Sequence, residues 1–195
     1  MPPRAERHAP STVPVISARE RVLRAAYALF YRDGIRATGI DRVIAEAGVT
    51  KVTFYRHFPS KNDLIRAFLE FRHAQWMAWF EDELERRGGN PQALVGAMGA
   101  WFRDPAFRGC AFLNSVSELG PSNAEVLGIT RRHKDDVARA IARLLPDTPS
   151  RQRDAAALAV AVDGAIARAQ FDPGTDAAIQ ALRSIVDAVT ASSAG

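Results

Sequence analysis

Five side chains between Lys51 and His57 suit contacts with nucleic acid. Lys51 and Arg56 bring positive charge, and Thr53, Tyr55 and His57 bring further hydrogen-bonding groups. Cationic side chains bind phosphate oxygens, and polar side chains can also reach the edges of bases in the major groove. A helix of about seven residues adds little to a hydrophobic core. Its composition therefore favours a DNA-binding surface, with an ordinary exposed helix as the alternative.

The residues on either side predict two short helices joined by a turn. Ala47-Gly48-Val49 predicts the turn, because glycine adopts backbone conformations that other residues avoid. Thr50 can accept a backbone N–H at the start of the second helix, and Pro59 ends that helix. The apolar residues of the first helix are Ile40, Val43 and Ile44. Those of the second, expected to be partly buried, are Val52, Phe54 and Phe58. This pattern is a helix-turn-helix, whose second helix lies in the major groove.

The segment closely resembles the DNA-binding signature of TetR-type transcriptional repressors, in which an AGV turn precedes an xxTxYxHF helix and then xSK. The matching residues are Ala47-Gly48-Val49, Thr53, Tyr55, His57, Phe58 and Ser60-Lys61. Upstream, the match continues through Ala25-Ala26, Leu29-Phe30, Gly34 and Thr38, so that it covers roughly residues 17–70. Gly39 departs from the pattern, because the family often has a Thr or Ser there that contacts phosphate. The backbone N–H of Gly39 can still serve.

The resemblance implies that one set of residues contacts DNA. Tyr55 and Lys61 are expected mainly to bind phosphates, whereas Lys51, Thr53 and, as a further candidate, Arg56 are expected to contact bases. The full set is Thr38, Gly39, Thr50, Lys51, Thr53, Tyr55, Arg56, His57 and Lys61.

Composition and charge agree with a DNA-binding globular protein. The chain has 195 residues, 47% hydrophobic and 25% charged, with a net charge of +4. Residues 1–63 hold 11 Lys and Arg against 6 Asp and Glu, while the remainder holds 15 against 16. The positive excess fits attraction to phosphates, although a solvated basic surface is the alternative. No apolar run approaches ~18 residues and no signal peptide is evident, which predicts a cytoplasmic protein without a membrane span.

Apolar periodicity predicts an all-α fold in three parts. Residues 1–16 are Pro-rich and are expected to form a disordered arm, either an inert tail or a minor-groove contact. Residues 17–63 are expected to form the helix-turn-helix DNA-binding domain, and residues 64–195 an effector-binding and dimerisation domain. A long helix at about 61–87 would connect them. Further helices are predicted to begin at Asn90-Pro91, Asp104-Pro105, Gly109, Pro121 and Ser150, and near residue 176.

The resemblance also implies a ligand cavity among the central helices. Its candidates combine apolar walls with a few polar groups: His73, Trp76, Trp79, Trp101, Phe102, Phe112, Asn114 and His133. Taken singly, each aromatic residue is more simply part of the core. The segment Arg108–Asn114, RGCAFLN, resembles a GCxxxN segment found in one branch of these regulators, which does not identify a ligand.

The sequence offers little support for metal, redox or catalytic chemistry. Cys110 is the one cysteine, so it forms no intramolecular disulfide; it is either a small buried hydrophobe or a sensing thiol, with only Arg108 as a basic neighbour. The histidines lack HxxxH or HExxH spacing, and no GxSxG, GxxxxGK[ST] or GxGxxG motif is present. No metal, cofactor or catalytic residue is therefore predicted.

The last two predicted helices suggest a homodimer. Small residues let helices approach closely, and the first of these helices carries Ala155–Ala161, Gly164 and Ala165. The second contributes Ile179, Leu182, Ile185, Val186 and Val189. The resemblance favours a four-helix interface between two copies, and burial within one chain is the alternative.

Together these features predict a dimeric, ligand-responsive transcriptional regulator. The resemblance implies a repressor that a small apolar or aromatic effector releases from a palindromic operator in double-stranded DNA. The alternatives are an activator, an effector-independent DNA-binding protein, or an α-helical enzyme that uses the aromatic cavity.

Overall fold

A computed structural model describes residues 16–120 and 123–192 of the chain. Within these ranges the regular structure is entirely α-helical, which confirms the predicted fold class. The helices are α1 (Ala18–Asp33), α2 (Ile40–Ala47), α3 (Lys51–His57), α4 (Lys61–Arg86), α5 (Pro91–Phe102), α6 (Ala111–Leu119), α7 (Ala124–Ala142), α8 (Arg151–Phe171) and α9 (Asp176–Ser192). Almost all of the predicted N-terminal arm, residues 1–15, lies outside the described residues.

Side-chain caps determine where several helices begin. The Ser17 hydroxyl accepts the Glu20 N–H at 3.2 Å, and the Ser60 hydroxyl accepts the Asp63 N–H at 3.1 Å. Asn90 caps α5, which has Pro91 in its first turn. Each cap satisfies a backbone donor that has no partner within the helix. Because these residue types are recognisable in sequence, the predicted starts of α1, α4 and α5 agree with the structure.

Helix α4 connects the N-terminal helices to the rest of the molecule. Helix α1 packs against α2, α3 and α4, whereas α4 also packs against α5, α6 and α7. Helices α8 and α9 pack against each other, α8 against α7, and α9 against α5. The buried apolar residues form one continuous cluster that passes through α4. The domain boundary at residues 63 and 64 therefore stays a prediction, because the core is not interrupted there.

One predicted helix start differs from the structure. Residues 103–110 form turns and bends, not a helix beginning at Asp104-Pro105. The Asp104 carboxylate accepts the Ala106 N–H at 2.8 Å, and the Asp104 carbonyl accepts the Phe107 N–H at 2.8 Å, which satisfies a local turn. Pro121 lies outside the described residues, and α7 has its N-cap at Asn123.

The residues predicted for a dimer interface divide into two groups. One group lies inside the chain, because α8 and α9 pack against each other and against α5 and α7: Ala155, Ala165, Ile179, Leu182 and Val186. Assigning these buried residues to an intermolecular surface was wrong. The other group is exposed or half-buried and includes Ala157, Gly164, Ile185 and Val189. Within the described residues, no helix has the length and apolar composition needed to cross a membrane.

Candidate DNA-binding surface and effector site

The turn between α2 and α3 depends on Gly48. This residue has φ 59° and ψ 42°, a left-handed conformation that costs other residues about 1–2 kcal/mol. The Gly48 N–H donates to Ala45 at 3.2 Å, and the Val49 N–H donates to Ile44 at 3.3 Å. These bonds complete the end of α2 and direct the chain into α3, as the sequence predicts.

Helix α3 packs its buried residues against α1 and α2 and exposes most of its polar side chains. Phe54 and Phe58 are buried, and α3 packs against α1 and α2. The Thr50 hydroxyl accepts the Thr53 N–H at 3.1 Å, and the two threonine hydroxyls lie 2.9 Å apart. The exposed side chains of α3 include Lys51, Tyr55, Arg56 and His57. Eight of the nine predicted DNA-binding residues, these four with Gly39, Thr50, Thr53 and Lys61, are thus exposed or half-buried.

The positive charge of Lys51 is only weakly engaged within the chain. Its Nζ lies 3.4 Å from Oδ1 of Asp41, and both side chains are well exposed. Exposed ion pairs contribute about 0–1 kcal/mol, so this ammonium group can exchange its partner at little cost. Lys51 is therefore available for contacts with DNA.

Val52 was predicted to be partly buried, and that prediction was wrong. Its side chain is 71% exposed, whereas Phe54 two residues later is fully buried. One turn of α3 packs through Phe54 and Phe58, which leaves position 52 on the outer surface. An exposed apolar side chain beside Lys51 and Thr53 suits the methyl group of thymine in the major groove. This exposed residue was not predicted from the sequence. A signal was present, because a separation of two residues in sequence places Val52 and Phe54 on different faces of a helix.

Thr38 and Lys61 hold the loop between α1 and α2. The Thr38 side chain is fully buried, and its hydroxyl donates to the Gly34 carbonyl at 2.7 Å. The Lys61 ammonium donates to the Ile35 carbonyl at 2.6 Å, and burial lowers the pKa of Lys61 from its ordinary value. Burial of the Thr38 side chain contradicts the surface contact predicted for it, whereas Lys61 is half-buried and its phosphate contact stays a prediction. Gly39 caps α2 with no side-chain hydrogen bond and remains exposed.

A second candidate site lies among α4, α5, α6 and α7, where aromatic rings cluster. The buried Trp76 ring stacks on Phe80 with 4.7 Å between ring centroids and meets Trp101 edge-on at 5.4 Å. His133 stacks on Phe112 with centroids 3.7 Å apart. Burial, with the nearby positive charges of Lys134 and Arg72 and the neighbouring His73, lowers the pKa of His133 to about 2. His133 is therefore a neutral ring at physiological pH.

Two spaces adjoin this cluster. A void of about 10 Å³, room for one water molecule, is lined by Arg72, Trp76, Trp101, Cys110, Ala111, Phe112, His133, Lys134, Val137, Val162, Asp163 and Ile166. A more open cleft of about 270 Å³ is lined by Tyr27, Arg72, Gln75, Trp76, Trp79, Ala100, Trp101 and Asp104. Arg72, Trp76 and Trp101 border both spaces. The aromatic side chains thus pack closely in the interior and form a small-molecule-sized cleft only toward the surface.

Comparison with known proteins identifies the chain. Residues 22–68 match the sequence profile described as "Bacterial regulatory proteins, tetR family". The crystal structure of SCO4454, a TetR-family transcriptional regulator from Streptomyces coelicolor, is similar over 91% of this chain and 90% of that one, with 29% identity and a TM-score of 0.81. The chain belongs to the TetR family of transcriptional regulators.

The matches to two known regulators cover different shares of the chain. The "Probable HTH-type transcriptional regulator ArpR" of Pseudomonas putida is 27% identical over 77% of this chain and 79% of its own length. The regulator YerO of Bacillus subtilis is 32% identical over 44% of this chain, but the match spans only 30% of YerO. The chain therefore covers about a third of that relative's length, and the similarity supports the family more strongly than any particular activity.

In this TetR-family chain, the predicted effector residues do not form one pocket. Trp76 and Trp101 border both spaces, Phe112 and His133 border the void, and Trp79 borders the cleft. The remaining three, His73, Phe102 and Asn114, are not among the lining residues of either space. His73 has its Nδ1 3.2 Å from Nδ1 of His133, and Phe102 packs against Trp101 and Phe107. Asn114 borders a separate cleft of about 370 Å³ near α1 and donates to the Arg108 carbonyl at 3.0 Å.

Cys110 is buried, as one of its two predicted alternatives requires, but its basic neighbour is not the predicted one. Its thiol is buried beside the void, and the Lys134 ammonium approaches Sγ at 3.4 Å while also pairing with Asp163. Lys134 is 24 residues away in sequence, so spacing alone could not reveal this neighbour. The nearest basic residue in sequence, Arg108, instead donates to backbone carbonyls of Pro105 and Phe107.

Sequence reasoning also missed Arg72. This residue of α4 is 8% exposed and borders both the void and the cleft. Helical spacing gave a signal, because Arg72 lies four residues after Phe68 and four before Trp76, both of them buried. Arginine at a buried helix position is uncommon without a partner.

Proposed function

We propose that this TetR-family protein is a homodimeric repressor that binds a palindromic operator and dissociates when a small aromatic effector binds. DNA binding is assigned to residues 17–63, and effector binding and dimerisation to residues 64–195. The observation that carries the proposal is the exposed polar surface of α3, held rigidly by Phe54 and Phe58. Because the proposed partner is DNA, the cytoplasmic location predicted from the sequence belongs to the same proposal.

Exposed apolar residues on α8 and α9 support the dimer. Val160 is 73% exposed, Phe171 is 67% exposed and Ile185 is 42% exposed. Along α8, Ala157, Val160, Gly164 and Phe171 are separated by three, four and seven residues, spacings that place them on one face of the helix. A second copy would remove this surface from water, and C2 is the commonest symmetry. Two copies of α3 would then contact successive major grooves about 34–36 Å apart.

Contacts between α1 and the segment containing α6 support a coupling between effector and DNA. The Tyr31 hydroxyl accepts the Arg108 N–H at 3.0 Å and donates to the Gly109 carbonyl at 3.0 Å. The Glu118 carboxylate accepts the Arg36 N–H at 2.7 Å in the loop after α1. Because Phe112 of α6 borders the void, an effector that displaces α6 would also move α1. Release requires that the effector bind the DNA-free arrangement more tightly.

Selection of binding sites from a random duplex pool tests the proposal. We expect a palindromic consensus, two chains per duplex, and release by members of an aromatic compound panel. Arg56→Ala should weaken binding to the selected site, while Arg131→Ala, an exposed arginine on α7, should leave it unchanged. Both variants lose one positive charge. A difference in their DNA affinity therefore shows that the position of the arginine matters and not the net charge of the protein. Failure to enrich any sequence, with folded dimeric protein, would falsify the DNA-binding assignment.

A reporter gene downstream of the selected site decides the direction of regulation. The proposal expects higher expression when the regulator is deleted or the effector is added. Lower expression after deletion would identify an activator instead. Binding that no compound weakens would favour an effector-independent protein, and chemical turnover of a bound compound would favour the enzyme.

A further inference from the structure

The guanidinium group of Arg72 is buried without an acidic partner. The side chain is 8% exposed, yet within residues 16–120 and 123–192 no carboxylate lies within ion-pair distance of it. Its side-chain hydrogen bond goes to the hydroxyl of Tyr27. Its Cζ lies 5.4 Å from the ring centroid of Tyr27 and 4.3 Å from that of Tyr31. Buried charges are normally paired, and among the described residues Arg72 contacts the neutral aromatic groups of Tyr27 and Tyr31 instead of a carboxylate.

The other charged groups around Arg72 do not neutralise it. Asp163 borders the same void, but its carboxylate pairs with the Lys134 ammonium. Asp104 borders the cleft, but it is exposed and accepts the Ala106 N–H in its own turn. The positive charge of Arg72 is therefore the unbalanced charge at the boundary of the two spaces.

Trp76, on the same helix, carries a second buried hydrogen-bond donor. Its indole Nε1 is buried and has no hydrogen-bond partner among the described residues. Trp76 lies one turn after Arg72, and both residues border the void and the cleft. Guanidinium and indole N–H groups donate hydrogen bonds and cannot accept them. The Trp76 N–H therefore lacks an acceptor among the described residues, the Arg72 guanidinium has only the neutral Tyr27 hydroxyl there, and an anionic acceptor would serve both.

We propose that the effector is an acidic aromatic compound whose carboxylate binds Arg72 and accepts the Trp76 N–H. The inference rests on the proposed function for the identity of this site as the effector site. The aromatic part of the compound would pack against Trp79 and Trp101, which line the cleft. A cleft of about 270 Å³ suits a compound of one or two rings. A carboxylate should bind more tightly than a neutral group, because its hydrogen bonds to the buried guanidinium are charge-assisted.

The same contact would carry the signal to the DNA-binding helices. A carboxylate on Arg72 competes with the hydroxyl of Tyr27 and the ring of Tyr31, both on α1. Tyr31 also holds the backbone of Arg108 and Gly109. Weakening the Arg72 contacts would therefore loosen α1 from α4 near the end of α1 that also contacts the segment before α6.

Matched acids and amides test the proposal directly. The probes are 1-naphthoate with 1-naphthamide and indole-3-acetate with indole-3-acetamide, titrated calorimetrically into the full chain. Each pair keeps the ring and removes the charge. We expect each acid to bind more than about tenfold more tightly than its amide. Arg72→Gln should reduce that preference to about twofold or less, whereas Arg86→Gln, an exposed arginine at the far end of α4, should retain it.

A second variant covers the case in which Arg72→Gln does not fold. Trp76→Phe removes the N–H but keeps an aromatic ring, and it should weaken the acids several-fold more than the amides. Equal affinities of acid and amide for the wild type would overturn the proposal, as would an acid preference that survives in folded Arg72→Gln. Absence of acid binding at millimolar concentration would also overturn it. These binding measurements need no DNA, so a failure of operator release would contradict the regulator model and not this assignment.

Discussion

At the scale of single residues, we expect the side chains of α3 to make two kinds of contact with DNA, with bases and with phosphates. Lys51 and Thr53 occupy its first turn, and Tyr55 is 41% exposed farther along. The structure leaves all three accessible, while it buries Thr38 and engages Lys61 with the Ile35 carbonyl. The accessible predicted contacts therefore lie on α3 and at the exposed cap residues Gly39 and Thr50, and the phosphate contact of Lys61 stays a prediction.

We expect Lys51→Ala and Tyr55→Phe to weaken DNA binding in different ways. Loss of a base contact should cost ~1–3 kcal/mol on the selected operator and relax preference at one position of each half-site. Loss of the Tyr55 hydroxyl, an uncharged phosphate contact, should weaken selected and scrambled duplexes alike and leave the salt dependence unchanged. Fluorescence anisotropy at several salt concentrations measures both. Equal losses on the two duplexes for Lys51→Ala would reassign Lys51 to phosphate binding.

His133 should make the protein less stable in acid. Its pKa is lowered to about 2 in the folded state, against about 6.5 in an unfolded chain. As pH falls below about 6.5, the unfolded state takes up a proton that the folded state does not. The free energy of unfolding should then fall by up to ~1.4 kcal/mol per pH unit from this group.

Urea denaturation between pH 7 and pH 4 checks this expectation. His133→Gln should show a shallower loss of stability with falling pH, because the titrating group is gone. His57→Gln, which replaces an exposed histidine of α3, should keep the wild-type slope. The same slope in all three proteins would show that other groups cause the acid sensitivity.

At the scale of helices, local sequence determines where elements begin and end. Ser17, Thr50, Ser60 and Asn90 are capping residues, and Gly48 suits a left-handed turn, so sequence predicts these boundaries correctly. Asp104-Pro105 also resembles a helix start, but the Asp104 carboxylate satisfies a turn instead. The predicted helices therefore agree best where a cap is followed by a long apolar periodicity.

Contacts between helices were much harder to predict from sequence. Trp76, Trp101 and His133 do meet, yet Asn114 points to another cleft and Phe102 is core. Arg72 was missed although it shares the buried stripe of Phe68 and Trp76, because an arginine at such a position becomes buried only through the packing of α4 against α1. The exposure of Val52 follows in the same way from which face of α3 packs on α1 and α2.

Helix α6 contains a residue whose loss should uncouple effector binding from DNA release. The Glu118 carboxylate holds the Arg36 N–H of the loop between α1 and α2. In Glu118→Ala, effector affinity should stay near the wild-type value while operator release becomes smaller. Glu118→Gln keeps an acceptor oxygen and should behave like the wild type. Calorimetry measures the first quantity and anisotropy the second; full release in folded Glu118→Ala would contradict the proposed route through α6.

At the scale of the whole molecule, we expect the exposed apolar residues of α8 and α9 to form the interface of the proposed dimer. Ile185→Asp would place a charge in the proposed interface and should convert the dimer to monomers. Gln180→Asp introduces the same charge at an exposed polar position elsewhere on α9 and should remain dimeric. Light scattering at micromolar concentration distinguishes the two masses. A monomeric wild type without DNA would count against the dimer and against simultaneous binding of two half-sites.

The position of Arg72 between the cleft and the tyrosines of α1 has a thermodynamic consequence. Operator and effector bind the same protein in a closed thermodynamic cycle. Each ligand must therefore change the affinity of the protein for the other ligand by the same factor. If a carboxylate on Arg72 lowers operator affinity, then the operator must lower the affinity of Arg72 for that carboxylate equally. Protein already seated on DNA is therefore a poorer receptor than free protein. Calorimetric titration of the acid with and without operator duplex should give a ratio equal to the loss of operator affinity.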